Sequence, residues 1–149
     1  MMMGHSPLRV LIVDDEPVAR QVLRDELRAF EDVEIMAEAA NGNEALVQIA
    51  RHKPDLVLLD LQMPGLGGFE VIRRLPADAM PVIVIVTAYD QHAIRAFEAG
   101  ALDYLLKPVS RERLEKALDR ARALRAKAQD VAESIVRLND AAALSGPTS

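Results

Sequence analysis

Five side chains in this sequence have the chemistry to handle a phosphoryl group, and each stands where an apolar run ends. Leu11-Ile12-Val13 leads into Asp14-Asp15, and Leu56-Val57-Leu58-Leu59 leads into Asp60. Val82-Ile83-Val84-Ile85-Val86 leads into Thr87, and Tyr104-Leu105-Leu106 leads into Lys107-Pro108. Each residue has a bland reading when taken alone. Asp14-Asp15 could begin a helix, Asp60 could sit in a turn, Thr87 could cap a helix, and Lys107 could be a surface lysine. Together they put three carboxylates, a hydroxyl and an ammonium at the same end of successive runs. Two carboxylates about 4 Å apart repel by about 4 kcal/mol at an effective dielectric near 20, so a rim holding three calls for a cation. Lys107 can offset one charge. A divalent ion offsets more, and Mg2+ suits carboxylates, waters and a phosphoryl oxygen. There is no Cys, and His5, His52 and His92 fall off the run ends, which argues against a zinc centre. A carboxylate beside such an ion can attack phosphorus and form an aspartyl phosphate. The transfer depends chiefly on alignment and charge stabilisation.

The elements that must position these residues read as alternating strand and helix. Unbroken aliphatic runs are how strands covered on both faces read. Strands are expected at Leu8–Val13, Val33–Ala39, Leu56–Asp60, Val82–Thr87 and Asp103–Leu106. Helices are expected from Pro17 to Phe30 with Asp15 or Glu16 as N-cap, and at Gly42–Arg51, Phe69–Leu75 and Gln91–Ala99. Pro64-Gly65 and Gly67-Gly68 mark a loop expected to be mobile. The pattern predicts an α/β fold: a doubly wound, flavodoxin-like (βα)5 unit with a five-stranded parallel sheet in the order 2-1-3-4-5. Its crevice would lie outside the carboxyl ends of strands 1 and 3, which carry Asp14, Asp15 and Asp60.

A last helix starts near Ser110 and reads unusually long. Leu114, Ala117, Ala121, Leu124, Ala128, Val131, Ile135, Leu138 and Ala142 repeat at alternating spacings of three and four, a heptad seam. Two readings stay open: a first half packed on the sheet with a fraying second half, or a helix paired with another. In a parallel pair Arg120 would meet Arg125 of the partner, a like-charge contact. Ser145 to Ser149 reads as a loose end.

Composition bounds the function. The 149 residues suit one domain, half of them apolar, and the low aromatic content leaves the core to aliphatic residues. A net charge of −5 argues against nucleic-acid binding by this chain itself. Residues 111–127 run against that trend, with seven basic and three acidic residues. That stretch reads as a solvated helix face or a docking surface. No run is long enough for a membrane span or a signal peptide, so a cytoplasmic protein is expected. Residues 1–7 read as disordered or as a tag remnant, residues 8–123 as the domain, and residues 124–149 as an extended helix or linker.

The combined signature resembles a response-regulator receiver domain of two-component signalling. The matching residues are Asp14-Asp15, Asp60 within Leu59-Asp60-Leu61-Gln62-Met63-Pro64-Gly65, Thr87-Ala88 and Lys107-Pro108. The resemblance implies that Asp60 accepts the phosphoryl group. It implies that Asp15, Asp60 and the backbone carbonyl of Gln62 bind Mg2+, with Asp14 supporting the metal through water. Thr87 and Lys107 would contact the phosphoryl group, and Lys107-Pro108 would be a cis peptide. Thr87 and Tyr104 would act as the switch, with Gln62 and Tyr89 tuning dephosphorylation. The stretch Thr87–Pro108 is similar to receivers of the LytR/AlgR type, whose partner domain is a LytTR DNA-binding module not found in this sequence.

On that resemblance the donor is a sensor histidine kinase, and the output surface is helix 4, strand 5 and helix 5. A homodimer would form on phosphorylation, and DNA would be reached only through an output domain. Turnover would be limited to self-phosphorylation and slow autodephosphorylation. Two rivals stand beside this. One is a stand-alone receiver acting as shuttle or phosphate sink. The other is a haloacid-dehalogenase-like phosphatase, for which Glu16 is a poor match to the second Asp of an Asp-x-Asp motif.

Overall fold

A computed structural model describes residues 6–145. Residues 1–5 of the expected N-terminal remnant and residues 146–149 of the expected loose end lie outside the described residues, as does the side chain of Ala142. Five parallel strands, β1 (Leu8–Val13), β2 (Val33–Ala39), β3 (Leu56–Leu59), β4 (Val82–Thr87) and β5 (Asp103–Leu106), form one sheet in the order β2-β1-β3-β4-β5. This is the expected doubly wound α/β topology. The helices are α1 (Pro17–Leu27), α2 (Gly42–His52), α3 (Gly68–Arg74), α4 (Ala93–Glu98) and α5 (Arg111–Ser145).

Successive strand residues point to opposite faces, so each strand feeds two cores. On one face Leu11, Val13, Val57, Leu59, Ile83 and Ile85 meet the buried residues of α2, α3 and α4. On the other, Val10, Ile12, Leu56, Leu58, Val84 and Leu105 meet Leu23 and Leu27 of α1 and Leu114, Ala117, Leu118 and Ala121 of α5. Each fully buried Leu or Ile contributes about 1.5–3 kcal/mol, and the central strand β3 is buried along its whole length. The scarce aromatics stay at the margins of both cores, as Phe69, Tyr104 and Phe30 do.

Several expected element ends move. α1 stops at Leu27, not Phe30, because the Ala29 and Phe30 amides donate to Glu26 and Leu27 in tight three-residue turns. Its N-cap is Glu16, with Pro17 in the first turn. α2 runs one residue further, to His52, and ends on Lys53 at φ 47°, a left-handed cap filled without glycine. Its start is fixed by Asn41, whose side chain accepts from the Glu44 amide at 2.9 Å, while the Glu44 carboxylate accepts from Ala40. β3 ends at Leu59 although the Asp60 amide still donates to Val13, and α3 lies one residue earlier than expected. α4 begins at Ala93, not Gln91, and ends at Glu98, not Ala99; its first helical bond runs from the Ala96 amide to the His92 carbonyl. A short 3-10 turn at Ala77–Ala79 precedes β4.

The basic stretch is partly a solvated helix face, with the Arg111, Arg113 and Arg120 side chains 60%, 42% and 54% exposed, but its arginines are also paired. Arg111 pairs with Glu26, Arg113 and Arg120 with Asp103, Arg122 with Asp32 and Asp119, and Arg125 with Asp55. Its charge ties α5 to the acidic rims of the sheet. α5 is also continuous to Ser145, so the second half of the seam is helical, and Leu124, Val131, Ile135 and Leu138 on it are exposed.

Candidate functional site

Strand register assembles the site. Val13 lies opposite Leu59, so the next residues, Asp14 and Asp60, leave the sheet side by side. Thr87 lies opposite Leu106, and the Lys107 amide donates to the Thr87 carbonyl at 2.8 Å. Four strand ends therefore converge on one rim. Asp14 and Asp60 are buried, Thr87 is fully buried, and Asp15 is half-buried. Gly68 makes the turn beyond Asp60 possible, because a Cβ there would stand 2.6 Å from the Asp60 carbonyl oxygen. Gly65, at φ +77°, takes the left-handed turn between β3 and α3.

Asp14, Asp15 and Asp60 each bring one carboxylate oxygen within 4.8 Å of the other two. The Lys107 ammonium donates to Asp14 Oδ2 at 2.7 Å and to Asp60 Oδ2 at 3.3 Å, with Glu16 at 3.8 Å. Three carboxylates share this one close ammonium, so the site retains negative charge. An all-oxygen donor set of this kind suits a hard divalent cation. Burial pushes the Asp60 carboxyl above its ordinary value; Lys107 pulls it back, and the Asp14 charge adds to the rise. Burial also works against the Lys107 ammonium. There the hydrogen bond to Asp14 and the fields of Asp60 and Asp14 outweigh it, so Lys107 sits above the ordinary lysine value.

Backbone groups complete the rim. The Gln62 amide donates to Asp60 Oδ1 at 3.3 Å, which draws residue 62 against the site. The Glu16 amide donates to Asp14 Oδ1 at 2.9 Å and fixes that carboxylate. The expected Lys107-Pro108 cis peptide is present.

Thr87 and Tyr104 share the α4 side of the sheet, since Tyr104 lies opposite Ile85, two residues before Thr87. The Tyr104 ring is half-buried against the first core, and its hydroxyl donates to the Tyr89 carbonyl. Burial raises its phenol pKa. The Tyr89 amide makes a long 3.5 Å contact to Thr87 Oγ1. One peptide segment thus joins the hydroxyl at the rim to the aromatic ring at the edge. Tyr89 itself is exposed.

Asp14, Asp15, Asp60 and Lys107 therefore meet at one rim, and Tyr89 and Tyr104 are linked to it through Thr87. Sequence reasoning missed Arg20, whose guanidinium donates to the Asp14 carbonyl at 2.7 Å. A contact to a backbone oxygen leaves no mark on residue pattern. It also missed Arg95, stacked 3.9 Å from the Phe69 ring centre with His92 edge-on to the same ring, which ties α4 to α3.

Comparison with known proteins agrees with this geometry. The family model described as "Response regulator receiver domain" matches residues 10–119. The transcriptional regulatory protein BtsR of Salmonella typhi is 49% identical over 124 residues, covering 83% of this chain and 52% of that protein. The chain thus spans about half the length of that curated relative. Among solved structures, the response regulator domain of Thermotoga maritima CheB superposes with a TM-score of 0.69 at 30% identity, over 78% of this chain and 95% of that one. The complex of the P1 domain of CheA3 with CheY6 from R. sphaeroides gives a match with TM-score 0.70 at 31% identity, covering 80% and 99%.

Proposed function

Because the chain belongs to the response regulator receiver domain family, we propose that it takes a phosphoryl group from a sensor histidine kinase onto Asp60. One observation carries this reading. Asp60 is a buried strand-end carboxylate held between two further carboxylates and the Lys107 ammonium. Asp14, Asp15 and Asp60, with the Gln62 carbonyl, would hold Mg2+, whose chemistry here is neutralisation of the phosphoryl oxygens. An Asp60 oxygen attacks phosphorus in line, the bond from phosphorus to the donor nitrogen breaks, and an aspartyl phosphate forms. Lys107 moves its hydrogen bond onto a phosphoryl oxygen, and the Thr87 hydroxyl donates to another.

That shift of Thr87 would loosen the Tyr89 segment and let Tyr104 turn inward, changing the surface of α4, β5 and α5. Phosphorylation would tighten pairing of two copies there. A LytTR-type DNA-binding domain beyond residues 124–149 would read the change, with residues 8–123 as the receiver. The likeness over residues 87–108 and a relative named as a transcriptional regulatory protein support this output. The complex of CheY6 with a P1 domain supports a kinase-type donor partner. No described helix is long and apolar enough to cross a membrane, which is consistent with a cytoplasmic role.

Incubation with acetyl phosphate and Mg2+ tests the reading by intact mass. The protein gains one phosphoryl group, and chelation of Mg2+ or Asp60→Asn prevents it. Continuous hydrolysis of phosphate esters would instead favour a phosphatase.

A further inference from the structure

The lower half of α5 leaves the sheet altogether. Its last anchor is Arg125, which donates to the Pro7 carbonyl at 2.7 Å and the Ser6 carbonyl at 2.9 Å and pairs with Asp55, all beside the starts of β1 and β3. From Arg125 to Ser145 the helix runs about 30 Å further. Along it Val131, Ile135 and Leu138 are 52%, 52% and 69% exposed, and Leu124 just above it is 44% exposed.

These residues do not simply prolong the sheet-packed face. Arg113, Arg120, Leu124, Val131 and Leu138 follow at intervals of seven, four, seven and seven residues, so they share one side of the helix. Arg113 and Arg120 reach Asp103 on β5, so this side looks towards the open β5 edge of the sheet. Exposed Leu106 on β5 and Ile94 and Phe97 on α4 stand at that same edge. Below Arg120 the same side of the helix turns apolar, through Leu124, Val131 and Leu138.

We infer that this projecting helix pairs with the same helix of a second copy as a parallel two-stranded coil. The heptad puts Ile135 at an a position and Leu138 at a d position, the combination that favours two parallel strands. Ala132, Ser134 and Asn139 flank the seam and carry no charge, so nothing below Lys127 repels across it. Asp130, Glu133, Arg137 and Asp140 lie on the opposite side. Their mixed signs do not make the Lys/Arg-rich face of a membrane-surface helix. The one like-charge contact, Arg120 against Arg125, is relieved because each Arg already holds a carboxylate of its own protomer. The inference rests on helix geometry and not on phosphate transfer.

Sedimentation equilibrium on the full chain tests it, with single-cysteine cross-linking to fix orientation. The protein associates to twice its 16.4 kDa mass. Asp60→Asn keeps this pairing even if phosphorylation fails. Ile135→Asp weakens it at least tenfold, while Val136→Asp, at an outer position, leaves it in place. The sequence has no Cys, so Ile135→Cys oxidises cleanly to a covalent dimer and Val136→Cys stays largely monomeric. A monomeric wild type, equal effects of the two Asp variants, or equal cross-linking of the two Cys variants overturns the inference.

Discussion

Lys107 is held more closely by Asp14, at 2.7 Å, than by Asp60, at 3.3 Å. Asp14 thus parks the ammonium beside the acceptor carboxylate without tying it there. Removing the ammonium leaves buried carboxylates uncompensated. Lys107→Met should destabilise the metal-free protein by about 1–3 kcal/mol, and added Mg2+ should restore much of that loss. Chemical denaturation with and without Mg2+ checks this. Equal losses in both conditions would contradict the shared role of the two cations.

Mg2+ should itself raise the thermal midpoint, in proportion to its binding to the native state. Asp15→Asn should remove most of that rise. Asp15 is only half-buried and has no structural partner as deep as those of Asp14, so the variant should fold normally. Calorimetry over a Mg2+ series reads the effect.

Tyr89→Ala should change dephosphorylation more than phosphorylation. The Tyr89 backbone accepts from Tyr104 and contacts Thr87, and the substitution keeps that backbone. What it removes is an exposed ring two residues beyond Thr87, which would shield an acyl phosphate from water. Decay and loading rates measured on the same preparation decide it, and equal changes in both would count against shielding.

Asp103 gives a pH signature away from the site. Burial works against its charge, but Arg113, the Tyr104 amide and Arg120 outweigh it and hold the carboxyl below its ordinary value of 3.8. A lowered folded-state pKa means that this stabilisation is fully present above the unfolded value and is lost as pH falls through the folded one. Asp103→Asn should therefore cost about 1–3 kcal/mol near neutrality and flatten the loss of stability below pH 3.8. Denaturation across the acid range tests the sign.

The parts that could be read ahead of the structure were those fixed by local pattern. Unbroken aliphatic runs ending in Asp14, Asp60, Thr87 and Lys107 located the strands, their parallel packing and the site rim. What stayed hidden depended on partners distant in sequence. The Tyr104 hydroxyl takes the Tyr89 carbonyl, fifteen positions away. Arginines of the basic stretch of α5 pair with Asp32, Asp55 and Asp103, contacts that charge counting along the chain cannot reveal. The heptad was legible, and packing of its first half on the sheet was one of its two readings, but not that Arg113 and Arg120 turn one side of the helix towards the β5 edge.

The most direct test of the central claim is the position of the phosphoryl group itself. After loading with acetyl phosphate and Mg2+, borohydride reduction converts an aspartyl phosphate to homoserine, which peptide mass mapping locates. The account predicts the change at Asp60 alone, and none in Asp60→Asn. A homoserine at Asp14 or Asp15, or a phosphoryl mass that persists in Asp60→Asn, would contradict it.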